Sequence, residues 1–310
     1  MKSVCLGLDT SNYTTSVAVF DGAEGENTGR LLEVPSGTLG LRQSDALFQH
    51  VRRLPDLFDD LRARGLLGHV VAVGASTRPR AVEGSYMPCF LAGEGMGRAL
   101  ADTLGIPYFP CSHQQGHLAA AAWSAGRMEL LDRPCLVWHL SGGTTELLLA
   151  EPDGVSVKMT CIGGTQDISA GQLIDRTGKL LKLDFPAGKA LDVLAQTSEC
   201  KKLFSVKLNK LTFSLSGIEN QVNALAAQAV PPADIARFTL NTIADAVRRT
   251  TDAALAHYPG LPVLCSGGVA SNSVLRCAMQ GAIFAAPRYS TDNAMGVAIL
   301  AQRSLTKGER

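Results

Sequence analysis

Apolar and polar positions alternate between two kinds of pattern along this chain. The run VCLGLDTSNYTTSVAVF (4–20) is apolar, then polar, then apolar and β-branched again, which predicts a strand, a short turn and a second strand. CLVWHLSGGTTELLLAE (135–151) repeats that order. Two such hairpins opening two halves of one chain point to an internal duplication. In the first half, apolar residues three and four apart predict a helix over SDALFQHVRRLPDLFDDLRARG, and HVVAVGAS reads as a strand. An irregular segment, TRPRAVEGSYMPC, follows. FLAGEGMGRALADTLG then predicts a helix closed at Gly105, and IPYFPCS leads into another helix that begins HQQGHLAAAAW.

The second half carries a Gly-rich, Asp-containing segment (162–178), a lysine-rich stretch (201–210) and a long amphipathic helix, PADIARFTLNTIADAVRRTTDAALAHY. LPVLCSGGVASNSVLR reads as strand, glycine turn and helix start, and TDNAMGVAILAQRSL as a capped final helix. The closing TKGER is expected to fray. RMELLDRP (127–134) is the expected domain boundary.

At 310 residues the chain is long enough for one large or two medium domains. A net charge of +1 gives no general attraction to polyanions, so any nucleic acid must meet a local patch. The N-terminal run is interrupted by Asp9 and polar residues, unlike a signal peptide, and no window reaches the ~18 apolar residues of a membrane span. A cytoplasmic protein without membrane contact is expected. Eight cysteines (5, 89, 111, 135, 161, 200, 265, 277) contain no C-x-x-C pair, which fits reduced thiols better than disulfides or a zinc ribbon. Cys111 stands out because it precedes the histidine helix.

His113 and His117 lie four apart and so share a helix face, where both imidazoles can reach one ion. Two donors are too few for a tight site, and spacing alone slightly favours accidental packing or a helix surface. Gln114 stands where the zincin protease motif needs a glutamate base, which argues against that class. Three hydroxyl- or glycine-rich turns, DTSNYTTS (9–16), SGGTT (141–145) and SGGVASN (266–272), expose backbone N–H groups suited to phosphates. Each alone is weak evidence, since most Gly-Gly pairs after a strand are merely tight turns. Together their layout is that of an actin-like ATPase.

SGGTTEL (141–147), DISAGQLIDRTGKLLKLDFPAG (167–188), FSLSGIE (213–219), GGVASNSVLR (267–276) and TDNAMG (291–296) occur in that order. With them, nearly the whole chain resembles the TsaD family, the threonylcarbamoyl-adenosine synthases of tRNA modification formerly described as O-sialoglycoprotein endopeptidases. The resemblance implies an α/β fold of actin-like ATPase (ASKHA) architecture. Two ribonuclease-H-like domains, 1–130 and 131–287, would enclose a nucleotide and metal cleft, and the 288–310 segment would return to the first domain. It further implies His113, His117 and Asp292 as ligands of one divalent metal, iron or zinc. Ser141, Gly142 and Gly143 would meet the nucleotide phosphates, and Asp175, Gly188 and Asn272 the ribose and base of ATP, AMP or an acyl-adenylate. The implied reaction is metal-dependent threonylcarbamoyl transfer to an adenosine of tRNA. A threonylcarbamoyl-adenylate synthase and a paralogous scaffold protein are the implied partners.

The chain departs from the family pattern at points around the substrate. Tyr13 and Thr14 replace an acidic pair, Thr144 replaces a histidine, and Gln115 stands where an acidic residue is expected. RPRAVEGSYMPCFLAGEG (78–95) replaces a glycine-rich loop and brings Arg78 and Arg80, which read equally as receptors for a carboxylate or phosphate and as solvated loop charges. Two alternatives therefore stand beside the tRNA reading: a carbamoyl or acyl transferase with another acceptor, and a noncatalytic nucleotide-binding scaffold. Retention of all three metal ligands argues against the scaffold. Lys201, Lys202, Lys207 and Lys210 offer a patch for a phosphate backbone, or a solvated face.

Overall fold

The structure, a computed structural model, describes residues 2–11, 13–34 and 41–308. Asn12 in the first polar turn, and the last two residues of the TKGER tail, lie outside them. The chain divides into two compact units: residues 1–133, 151–159 and 292–310 form the first, and 134–150 with 160–291 the second.

The first unit is built on a five-stranded sheet. β1 (Ser3–Ser11), β2 (Thr14–Phe20) and β3 (Gly25–Leu31) form an antiparallel meander, and β4 (His69–Arg78) and β5 (Tyr108–Ser112) add parallel strands. The order is β3-β2-β1-β4-β5. Alternation in β1 feeds both faces of the sheet, which explains its continuous apolar reading. Val4, Leu6 and Leu8 pack with Leu54, Leu57 and Leu61 of α1 (Gln43–Ala63) and with Ala92 and Ala101 of α2 (Phe90–Leu104). On the other face Cys5 meets Ala301 of the last helix, α9 (Met295–Gly308), while α3 (His113–Ser124) packs against that same helix. Gly105 closes α2 with φ 65°, the left-handed conformation that glycine adopts without steric cost.

The second unit repeats the plan. β6 (Cys135–Leu140), β7 (Thr145–Asp153) and β8 (Ser156–Thr165) are followed by α4 (Ala170–Leu180), α5 (Gly188–Gln196), β9 (Thr212–Phe213), α6 (Ser216–Ala227) and α7 (Pro232–His257). β10 (Val263–Ser266), α8 (Ser273–Ala278) and β11 (Ile283–Phe284) complete it. Strand order is β11-β10-β6-β7-β8-β9. Read from β8 to β11, it matches the first sheet strand for strand, with the short β9 added at the edge. Leu136, Trp138 and Leu140 of β6 sit in the core with α4, α5 and α7, and the indole N–H of Trp138 donates to Thr251 Oγ1 at 2.8 Å. The lysine-rich stretch runs as irregular chain with its four lysines exposed and Val206 buried in the core. All eight cysteines are free thiols, and no helix among the described residues is long and apolar enough to cross a membrane.

Candidate functional site

Ser112 ends β5 and caps α3. Its hydroxyl accepts from the backbone N–H of Gln115, while the Gln115 side chain accepts from the Ser112 N–H at 2.9 Å. This capping box fixes where the helix starts, and so fixes His113 at its first position. The Gln115 amide also donates to the carbonyl of Val157 at 2.8 Å. Gln115, which stands at a position expected to be acidic, thus serves here as a buried helix cap.

The two imidazoles meet as the i, i+4 spacing predicts. Nε2 of His117 lies 2.9 Å from Nε2 of His113, and Oδ1 of Asp292 lies 3.3 Å and 3.4 Å from the same two atoms. The sequence separates Asp292 from the histidines by most of the chain, and α9 brings it back. A Cβ at Gly296 would stand 1.8 Å from the Gly116 carbonyl oxygen, so glycine is what lets α9 lie directly against α3. Asn27 secures the approach to the helix by accepting from the Ala294 N–H at 2.9 Å.

Behind this cluster sits Asp9, which sequence reasoning had placed only in a polar turn. Its carboxylate is 1% exposed and accepts from His113 Nδ1 at 2.6 Å, and from the Ser11 N–H at 2.8 Å. The hydrogen bond fixes the tautomer that presents Nε2 of His113 as a donor atom, an arrangement repeatedly found behind metal-ligating histidines. Burial alone would lower the His113 imidazole, but the Asp9 and Asp292 carboxylates outweigh it and push it up to about 10. Burial likewise works against both carboxylates, and the imidazoles prevail, holding Asp9 and Asp292 below the usual range.

Two nitrogens and a carboxylate oxygen, all within 4.8 Å of one another, form a donor set suited to a first-row divalent ion. The point in their plane equidistant from the three atoms lies about 1.9 Å from each, and points just off that plane reach the ~2.0–2.2 Å bond lengths such an ion requires. The residues fit the group. Cys111, next in the chain to Ser112, does not join them: its buried thiol is pushed up by desolvation and donates to the Ala75 carbonyl at 3.8 Å.

In the second unit the glycine turn Ser141–Thr144 closes the β6–β7 hairpin. The Ser141 N–H donates to the Thr144 carbonyl at 2.8 Å, and the Thr144 N–H returns to Ser141 Oγ at 3.1 Å. Gly171 allows α4 to press on this turn, since a Cβ there would stand 2.5 Å from Gly142 Cα and from the Ser141 carbonyl oxygen. A cavity of about 410 Å³ opens beside it, lined among others by Gly142, Asp175, Gly188, Asp192, Gly268 and Asn272. Of the six residues expected to meet a nucleotide, Gly142, Asp175, Gly188 and Asn272 line this cavity. Ser141 and Gly143 flank Gly142 in the turn without lining it. Asp175 accepts from the Ala187 N–H at 2.9 Å and thereby holds the start of α5, where Gly188 lies. Asn272 caps α8, accepting from the Leu275 N–H at 3.1 Å. That helix has six residues, so its dipole is weak and its first turn is already capped. Sequence reading missed Asp192, which accepts from the Asn272 amide at 2.9 Å and from Ser273 Oγ at 2.7 Å. Its only sequence signal is its place four residues after Gly188.

A family model described as TsaD: tRNA N6-adenosine threonylcarbamoyltransferase matches residues 49–299. A relative in Rhizobium meliloti (strain 1021), named tRNA N6-adenosine threonylcarbamoyltransferase, is 32% identical over 98% of this chain and 90% of its own length. One of the same name in Rhizobium etli (strain CIAT 652) is 30% identical over 94% of this chain and 86% of its own. Among solved structures, full-length HypF in its phosphate- and nucleotide-bound form superposes with a TM-score of 0.62 at 13% identity, covering 99% of this chain and 55% of that one. At that identity the likeness speaks to fold, and the fold is the actin-like ATPase architecture. By the extent of these matches, the chain belongs to the TsaD family of tRNA N6-adenosine threonylcarbamoyltransferases.

Proposed function

We propose that this protein transfers a threonylcarbamoyl group from its adenylate to the N6 amine of an adenosine in tRNA. The observation that carries the reading is the donor triad of His113, His117 and Asp292, with the Asp9 carboxylate orienting His113 from behind. His113, His117 and Asp292 would hold a divalent ion, iron or zinc, which would supply Lewis acidity toward the carbamoyl carbonyl. His113 and His117 supply neutral nitrogens and Asp292 an oxygen, and the buried Asp9 keeps the His113 ring from turning. In the transfer, N6 forms the new C–N bond, the C–O bond to the adenylate phosphate breaks, and AMP leaves as the N6 proton is lost. Ser141, Gly142, Gly143, Asp175, Gly188 and Asn272, joined by Asp192, are assigned to the ATP, AMP or acyl-adenylate. Residues 1–130 with the returning 288–310 segment act as the metal-bearing domain, and 131–287 as the nucleotide-bearing one. A threonylcarbamoyl-adenylate synthase and a paralogous scaffold protein are the expected partners, in a reducing cytoplasm that suits eight free thiols.

The test is incorporation of radiolabelled threonine into unmodified tRNA, with ATP, bicarbonate, the adenylate-forming synthase and the scaffold supplied. Incorporation is expected, and His113→Ala with His117→Ala should abolish it together with metal content. Activity surviving that double substitution would exclude the metal assignment. Substitutions at Tyr13, Thr14 and Thr144 and in the 78–95 loop favour a second reading, in which the same chemistry serves a different acceptor. A metal-loaded, nucleotide-binding protein that labels no tRNA would select it.

A further inference from the structure

The 78–95 segment has no role so far, yet it is fastened beside the metal donors at both ends. At its start, the Pro79 carbonyl accepts from the Gln114 N–H at 3.1 Å, one residue past His113. At its end, the Phe90 ring lies 6.1 Å from that of His113. Thr10, the neighbour of Asp9, donates to the Cys89 carbonyl at 3.0 Å and accepts from the Gly93 N–H at 3.0 Å. The segment is therefore tied to the elements that carry two of the site's acids and bases.

Arg78 is its first residue and the last of β4. That strand lies between β1, which carries Asp9, and β5, which runs into His113. In the sheet register Arg78 stands opposite Ser112, immediately before His113. All three strands end on the same edge, and in open sheets ligands gather outside the carboxyl ends of parallel strands. Arg78 is exposed, and its guanidinium has no hydrogen-bond or ion-pair partner among the described residues, its one recorded electrostatic influence being on the nearby Cys111 thiol, whereas Arg80 has interactions of its own. A guanidinium left without a partner, on a strand end in register with the residue before His113, is a vacant bidentate receptor. Charge balance says what it would receive. Asp9 and Asp292 together cancel a divalent ion, so the centre itself has no net charge with which to attract an anion.

We propose that Arg78 is a substrate-anion receptor beside the metal donors, taking the carboxylate of a carbamoylated amino acid in two parallel N–H···O bonds. This rests on the transferase reading, in which the residues assigned to the phosphates belong to the second unit and the amino acid's carboxylate has no other assigned cation. Calorimetric titration of the zinc-loaded full chain with N-carbamoyl-L-threonine, its carboxamide and inorganic phosphate tests the idea. The acid should bind and the carboxamide should not. Arg78→Ala should weaken the acid roughly tenfold to a hundredfold with zinc content unchanged, and Arg78→Lys should recover only part of it, because an ammonium lacks the planar fork. Equal affinity for acid and carboxamide, or an unchanged constant in Arg78→Ala, overturns the proposal. So does a loss confined to phosphate. If the protein labels no tRNA but binds the acid through Arg78, the acceptor reading fails and the receptor stands.

Discussion

His113 receives opposite demands from its neighbours. Without metal, the two carboxylates favour its protonated form, and the ring holds a proton up to about 10 against an ordinary 6.5. That proton contributes stability that is fully present below about 6.5 and is lost as pH rises through about 10. A metal needs the same nitrogen unprotonated. Zinc binding between about pH 7 and 9 should therefore release about one proton, with affinity rising about tenfold per pH unit. Calorimetry in buffers of different ionisation enthalpy reads this directly, and zero protons released would mean that the ring rests neutral before the ion arrives. The i, i+4 spacing made the histidine pair legible in the sequence. Asp9 was not legible as its support, because only the fold brings β1 and α3 together across 104 positions. Gln115 was legible as a departure but not as a cap, since a capping box depends on the backbone around Ser112.

At the scale of elements, the long patterned segments were readable: both hairpins, α1, α2, α3, α7 and α9 follow their apolar spacing. β9 and β11, two residues each, carry no periodic signal and exist through pairing alone. The seat of α9 on α3 was equally hidden, for it depends on Gly296 meeting the Gly116 backbone. Gly296→Ala should destabilise the protein by about 3 kcal/mol and weaken zinc binding as Asp292 is displaced. Gly142→Ala is the contrast, because its Cβ would meet nothing within 4 Å and urea unfolding should barely change. α9 is also anchored at its far end. Arg303 forms a two-point ion pair with Asp132, at 2.7 Å and 3.2 Å, and Lys307 joins at 2.9 Å. Hydrogen bonding from Arg303 pulls the Asp132 carboxyl down to about 2. The stabilisation is thus present above the ordinary carboxylate value near 4 and is lost as pH falls toward 2. Asp132→Asn should cost about 1 kcal/mol in urea unfolding at pH 7, and the deficit should shrink at pH 3.

Over the whole molecule, the duplication suggested by two hairpins is visible as one strand order used twice, with a metal-donor cluster in one copy and a glycine-lined cavity in the other. Sequence pattern reached the hairpins but not the order, which parallel pairing between distant strands determines. The near-neutral net charge gave no sign of an RNA partner, and the run from Lys201 to Lys210, exposed for the most part, is a local excess of positive charge. The return of the chain through Asp292 and α9 also has a consequence for synthesis. A ribosome emits β1, β4 and α3 long before α9, so the nascent first unit has an uncovered sheet face and two histidines without their third donor. A message that stops short of Asp292 yields a protein that cannot complete the donor set, so under the proposed function metal content would be a read-out of translation carried to its end.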